Sequence, residues 1–316
     1  MRHSSVTSAA LALLLPLLGA CTCPSSFREV EEPRVVQSAA DVDALSGCQI
    51  EHYGTTLLGS TNSAAAASAL LQRGAAPQGK LILHGKESGG SALWQATRPE
   101  VLRVLLQADG VQLDRESGPH RETPLCAALR AGQSLKARLL LEAGADPNRA
   151  DSKGASPLSL AAEKLDISLC RLLLSRGAHP NHGHTTDGAT PLLCALHAGD
   201  SPEASASDKC ILARMLLDAG ASPTQSDEKG VTPLHRAPAA LIPTLLAAGA
   251  DVNARDAQGR TPLFYGGSPQ RAELLLSAGA DLQARDHLGN TAFDVVESAP
   301  LKSYLLVKGC RSGHAL

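Results

Sequence analysis

The chain has 316 residues, with 29 Lys and Arg against 31 Asp and Glu and a formal net charge of −2. Near-neutral charge, with both signs interspersed, leaves no electrostatic footprint for nucleic acid, and an aromatic fraction of 2% supplies no stacking platform for bases. Beyond the N-terminus no apolar run approaches the ~20 residues that a membrane-spanning helix needs.

Met1 to Cys21, MRHSSVTSAALALLLPLLGAC, has a basic start at Arg2, an apolar run from Ala9 to Leu18 and then small residues. That run is too short to span a bilayer and reads as a secretory signal, to be left out of the fold. Its end, Leu18-Gly19-Ala20-Cys21, resembles the lipobox of bacterial lipoproteins. The resemblance implies cleavage before Cys21, a diacylglycerol on its thiol and an acylated amino group, an anchor that holds firmly because it carries more than one chain. Thr22 rather than Asp follows, which in that family favours the outer membrane over the inner. The alternative is ordinary cleavage after Ala20, giving a soluble periplasmic protein. Residues 1–20 are thus a signal peptide and 21–50 a polar, Pro-containing lipidated tether with a short helix near Ala39 to Leu45.

Residues 51–312 form a repeat array, followed by a tail at 313–316. A Thr or Ser, Pro, Leu step, or its nearest substitute, places an apolar residue at Leu57, Leu93, Leu125, Leu158, Leu192, Leu234, Leu263 and Phe293. A helix-ending Gly recurs at Gly74, Gly144, Gly177, Gly220, Gly249, Gly279 and Gly309, with Asp109 in that place in the second copy and Gly110 beside it. Fixed punctuation of this kind means a stack of eight units. Thr232 before Pro233 is an N-cap with a first-turn proline, so a helix starts there. Gly249 closes the partner helix in a left-handed cap. Ile167, Cys170, Leu173 and Leu174 make one apolar stripe at helical spacing. Helices this short bury their stripes only against neighbouring repeats. The Asp-x-x-Gly steps at Asp151/Gly154, Asp227/Gly230, Asp256/Gly259 and Asp286/Gly289 are turn chemistry and mark exposed hairpin tips.

The spacing also shows departures. The first copy is Ala-rich and lacks the Pro, and the last is more polar, with Lys302 and Lys308; both suit end caps. The second linker, QGKLILHGKESGG, reads as an enlarged finger packing on the array through Leu81, Ile82 and Leu83. Around GDSPEASASD the fifth copy carries an insertion, read as a flexible surface loop. Pro238 and Pro243 shorten the sixth copy, so its first helix should stop early.

The stretch Gly230 to Asn253, GVTPLHRAPAALIPTLLAAGADVN, with Thr-Pro-Leu-His-x-Ala at Thr232 to Ala237, resembles the ankyrin repeat family. DSKGASPLSLAAEKLDISLCRLLLSRGAHPN and DAQGRTPLFYGGSPQRAELLLSAGAD resemble it nearly as well, and the likeness runs from about Gly54 to Cys310. It implies an all-α solenoid of about eight helix-turn-helix units with protruding hairpin loops, serving protein recognition. In that family His235 is a structural hydrogen-bonding residue.

Little in the chain points to chemistry. Of eight cysteines, Cys21 is assigned to lipid; Cys194 and Cys210, flanking the insertion, either form a disulfide or remain buried thiols, and Cys23 and Cys48 pose the same choice. Cys170 lies on a core stripe. His179, His182 and His184 lie on one finger, but their spacing is not a usual zinc pattern, so they read as solvated. Trp94 reads as packing. No nucleophile stands beside a base, and no metal or cofactor is expected. The expected function is binding of a protein partner by a monomeric, lipid-anchored array facing the periplasm, through its concave face and fingers. The candidate contacts are Arg149, Asp151, Lys153, Asp187, Asp227, Lys229, Arg255, Asp256, Arg260, Arg285 and Asp286. The alternative is an immunity-type inhibitor of a toxin or enzyme acting in the periplasm.

Overall fold

The computed structural model describes residues 37–45, 47–83, 86–117, 121–183, 187–197 and 206–313. The signal peptide, Cys21, Cys23, most of the expected tether and most of the insertion lie outside them. Among the described residues the chain divides into two compact units, up to Gln112 and from Leu113 on.

The first unit holds α1 (Ala39–Asp43), α2 (Gly47–Ser60), α3 (Ala64–Gln72), the strands β1 (Gln78–Leu83) and β2 (Lys86–Ser91), α4 (Ala92–Gln95) and α5 (Pro99–Leu106). Ser38 starts α1 with a capping box, its hydroxyl accepting from the Asp41 amide while Asp41 reaches back to the Ser38 amide. The expected boundary at residue 50 falls inside α2. The first copy lacks the Pro that marks a helix start in later copies, and its helix begins at Gly47. The enlarged finger of the second linker is a two-stranded antiparallel hairpin, pairing Gln78 with Ser91 through Leu83 with Lys86. It is the one sheet among the described residues of an otherwise helical architecture. In the second copy Gly110, at φ 75°, takes the left-handed position, so the turn slips by one past Asp109.

The second unit stacks six copies. The first four pairs are α6 (Pro124–Arg130) with α7 (Ser134–Glu142), α8 (Pro157–Glu163) with α9 (Ile167–Ser175), α10 (Pro191–His197) with α11 (Ala206–Asp218), and α12 (Pro233–Arg236) with α13 (Ile242–Ala247). A 3₁₀ turn (Pro262–Tyr265) then pairs with α14 (Pro269–Ser277), and α15 (Ala292–Val295) with α16 (Ala299–Val307). First elements pack on first elements and second on second in sequence order. The expected early stop in the sixth copy is present: α12 spans four residues, and the backbone turns extended at Ala237 before Pro238.

One leucine per second helix anchors the core. Leu140, Leu173, Leu216, Leu245, Leu275 and Leu305 are all 0% exposed, as are Leu70 and Leu105 in the first unit. The amide following each cap glycine returns to the carbonyl of that leucine in seven copies, for example Ala145 to Leu140 and Cys310 to Leu305. Four residues before the leucine the other copies carry Ala, Val or Leu, but the third carries Lys136 and the seventh Arg271, both buried. Arg271 donates to the carbonyls of Leu234, His235, Ala237, Pro262 and Gly266 at 2.9–3.1 Å. These carbonyls sit where α12 and the 3₁₀ turn end early and would otherwise lack partners. Burial pulls the guanidinium down to about 10, so it remains charged at neutral pH. Arg271→Ala should cost about 3 kcal/mol, because it strands buried carbonyls, and lower the midpoint of thermal unfolding by roughly 6–12 °C. Calorimetry checks this; a change under 2 °C would show that water replaces the guanidinium.

Candidate functional site

Four fingers of the second unit are each built on one aspartate whose carboxylate closes its own loop. Oδ1 of Asp151 accepts from the amides of Lys153 (2.8 Å) and Ala155 (2.9 Å). Asp227 does the same for Lys229 and Val231, Asp256 for Gln258 and Arg260, and Asp286 for Leu288 and Asn290. The second oxygen is taken by the frame: Asp151 by Arg130, Asp256 by the Tyr265 hydroxyl (2.8 Å) and Asp286 by the Asn290 side chain (3.1 Å). Although burial would raise the Asp286 carboxyl, the hydrogen bonds from Asn290 and Leu288 and the Arg260 charge hold it below the ordinary range.

Consecutive fingers are joined through their backbones. The amides of Glu228, Ala257 and His287 donate to the carbonyls of Asp187, Lys229 and Gln258 at 2.8–2.9 Å. Gly230, at φ 74°, lies so close to the next finger that a Cβ there would meet the Ala257 nitrogen at 2.9 Å. Behind the fingers, Asn148, Asn181 and Asn253 each donate to the cap-glycine carbonyl of the next copy (Gly177, Gly220, Gly279) and accept from the amide two residues beyond it.

This geometry corrects several expected contacts. Asp151, Asp256 and Asp286 are buried and Asp227 half-buried, because the turn needs their carboxylates inside it. Arg255 and Arg285 are exposed, but both carry structural bonds: Arg255 donates to the carbonyls of Gly259 and Arg285, and Arg285 to those of Gly289 and Gly313. Arg260 is half-buried, with Nε 4.0 Å from Asp286. Arg149, Lys153, Asp187 and Lys229 remain on the exposed surface, Arg149 within reach of Glu116 at 3.2 Å. Asp187 is not one of the loop-closing aspartates: it stands just before Gly188, the place Lys229 holds before Gly230, and accepts from the Ala189 amide.

His235 has its expected structural role. The Thr232 amide donates to Nδ1 (3.1 Å), which leaves Nε2–H to donate to the Arg260 carbonyl in the next finger (3.1 Å). Cys194 and Cys210 are both free thiols, which corrects the disulfide option. Cys194 is buried on α10 toward the Ala189 carbonyl, while Cys210 is half-buried on α11. Burial pushes the thiols of Cys126, Cys170 and Cys194 up to about 12, so they stay protonated. His179 and His182 are exposed, and His184 lies outside the described residues. Among the described residues no three His, Cys, Asp or Glu side chains gather as a metal site would require, and no helix is long and apolar enough to cross a membrane. Reading the sequence alone missed Arg271, Lys136 and the asparagine staples. Aligning the copies on their cap glycines exposes all of them, as charges in an apolar column and as a recurring Asn.

A family model described as ankyrin repeats matches three copies over residues 91–184 and 158–256. Protein PhlB of Serratia liquefaciens is 41% identical over 123 residues, 39% of this chain and 50% of that protein. A putative ankyrin repeat-containing protein of Treponema pallidum is 43% identical over 75 residues, 24% of this chain and 25% of its own. The chain therefore spans half or less of these relatives. The crystal structure of the human ASB11 ankyrin repeat domain is similar at a TM-score of 0.55 and 25% identity, covering 69% of this chain and 95% of that one.

Two measurements separate frame from surface. Asp256→Ala should cost about 2–3 kcal/mol in urea unfolding through its lost amide and hydroxyl partners, whereas Lys229→Ala should stay within about 0.5 kcal/mol. Burial lowers the His235 pKa, and a protonated Nδ1 could not accept from Thr232. The stability it contributes is therefore complete above the ordinary histidine value of 6.5 and is lost as pH falls from there toward the lowered folded value. Unfolding free energy should drop with pH in that window, and His235→Gln should flatten the slope, leaving among the described histidines the part due to the similarly lowered His197. An unchanged slope in the variant would contradict this role.

Proposed function

Because the chain belongs to the ankyrin repeat family, whose fold is typically a non-enzymatic scaffold for protein–protein interaction, we propose that it holds a protein partner on the side formed by its fingers and first helices. In this reading Cys21 carries lipid and ties the protein to the bacterial envelope, at the outer membrane and facing the periplasm. The observation that carries the contact surface is the division of labour in the fingers. Backbone groups and the carboxylates of Asp151, Asp227, Asp256 and Asp286 are consumed in holding the fingers, while the side chains of Arg149, Lys153, Asp187 and Lys229, whatever local contacts they make, stay exposed. Support for the anchor is the Leu18-Gly19-Ala20-Cys21 sequence closing a signal of secretory shape.

Cross-linking in the native cell, with mass spectrometry of what is bound, tests both parts. The wild-type protein should sediment with membranes and carry one abundant envelope client, and Cys21→Ser should release it and lose that client. Replacing Arg149, Lys153, Asp187 and Lys229 together by Ala should remove the client while lowering the unfolding midpoint by no more than about 2–4 °C, the cost of the Asp187–Ala189 and Arg149–Glu116 contacts. Membrane sedimentation of Cys21→Ser would sink the anchor, and a client retained by the fourfold variant would sink the placement of the surface.

A further inference from the structure

The last three copies have lost a turn from their first helices, and the vacated space is open. The first element spans four residues in α12, in the 3₁₀ turn and in α15, against seven in α6, α8 and α10. The shorter period is visible in the chain as intervals of 29 and 30 residues from Leu234 to Leu263 to Phe293. Where the missing turns would stand there is a cavity of about 480 Å³, within the ~300–1,000 Å³ range of ligand pockets. Arg236 enters it from the end of α12, Arg260 from the following finger, Phe264 and Tyr265 from the 3₁₀ turn, and Val296 and Glu297 from beyond α15.

The polar groups of this cavity are unevenly committed. The Arg236 side chain lies over the Tyr265 ring, 5.6 Å from its centroid, and forms no ion pair with a carboxylate of the described residues. Nε of Arg260 is buried with no hydrogen-bond partner, since the Asp286 oxygen at 4.0 Å is beyond bonding distance. The two aspartates behind it are spent on their fingers, Asp286 on Leu288 and Asn290 and Asp256 on Gln258, Arg260 and Tyr265. Among the described residues Glu297 is the one carboxylate on the wall, and it belongs to the eighth copy, whereas both guanidinium groups come from the sixth and seventh. The cavity is thus polarised along the stack, with donors on one side and apolar surface from Phe264 and Val296 within it.

We propose that this cavity receives a carboxylate of the partner, an Asp or Glu side chain or a chain terminus, between Arg236 and Arg260, with a neighbouring apolar residue against Phe264 and Val296. Two fork-shaped guanidinium groups match a carboxylate in geometry as well as charge, and the Arg260 side chain, 37% exposed, keeps its outer end open to the cavity while its Nε is turned inward. The inference rests on the protein-binding reading above and names the chemistry of what is bound.

The probe is a library of random decapeptides, synthesised once with free and once with amidated C-termini and selected on the full chain. Selected peptides should share an acidic residue at one position, or come only from the free-terminus library if the chain end is the ligand. Conversion of that carboxylate to its amide should weaken binding about tenfold or more, as should Arg236→Gln and Arg260→Gln, with Glu297→Gln equal or tighter. Arg236 is exposed, so its variant probes the cavity without disturbing a finger, and thermal unfolding verifies that both variants are folded. Selected peptides without an acid, binding indifferent to both Arg variants, or no selected peptide at all would overturn the proposal. A cellular client that survives Arg236→Gln with Arg260→Gln but is lost with the fourfold finger variant would overturn the cavity alone and leave the protein-binding reading standing.

Discussion

No helix pair among the described residues can bury its own apolar stripe, and the rest of the structure follows from that. The second helices of the last three copies run six to nine residues, yet each holds a leucine at zero exposure, which only a neighbouring copy on its flank makes possible. Stability therefore resides in contacts between copies. Short elements also leave many backbone ends per residue, and those ends are met across the same boundaries. The Asn148, Asn181 and Asn253 staples, the backbone bonds between fingers and the reach of Arg176 to the Leu141 carbonyl are one solution repeated.

Arg271 shows what happens when a copy departs from the pattern. Losing a turn from the first helix removes apolar contact and frees carbonyls at once. A leucine at that site would restore the first and leave the second unmet, whereas a guanidinium presents five donors in a plane to five carbonyls from two copies. A charged side chain in an apolar column is stable here because its acceptors were made available by the shortening. The same shortening opens the space lined by Arg236 and Arg260, so the core substitution and the cavity have a common origin.

The parts of the fold that could be read from the residues are those set by local chain chemistry. A Thr or Ser before Pro fixes a helix start, a glycine after a Leu-Leu run fixes its end, and their spacing gave the eight copies, while Pro238 announced the early stop of α12. The start of α2 carries no such mark, since the first copy lacks the proline, and the boundary set at residue 50 falls inside the helix. The finger aspartates were harder. Asp-x-x-Gly announces a turn, but not whether the carboxylate points to solvent or back into the loop, since that depends on amides two and four residues later. Arg271 was hidden for a different reason: its partners come from two other stretches of chain, at Leu234 to Ala237 and Pro262 to Gly266, and no local pattern signals them.

The same comparison says where specificity can be written. Between the loop-closing aspartate and its glycine stand two residues, Ser152 and Lys153, Glu228 and Lys229, Ala257 and Gln258, His287 and Leu288. The aspartate is held by amides and the glycine by its left-handed backbone, with the next finger also close at Gly230 and Gly259, so neither can change without cost to the loop. At the two positions between them, the bonds to aspartate and to the next finger run through the backbone, which any non-proline side chain supplies. Charge, amide and an exposed leucine therefore follow one another there without altering the frame, Leu288 at 75% exposure among them. A partner that touches the fingers meets a row of side chains that the Asp and Gly of the loop do not specify, and the cavity lined by Arg236 and Arg260 lies among the last three copies.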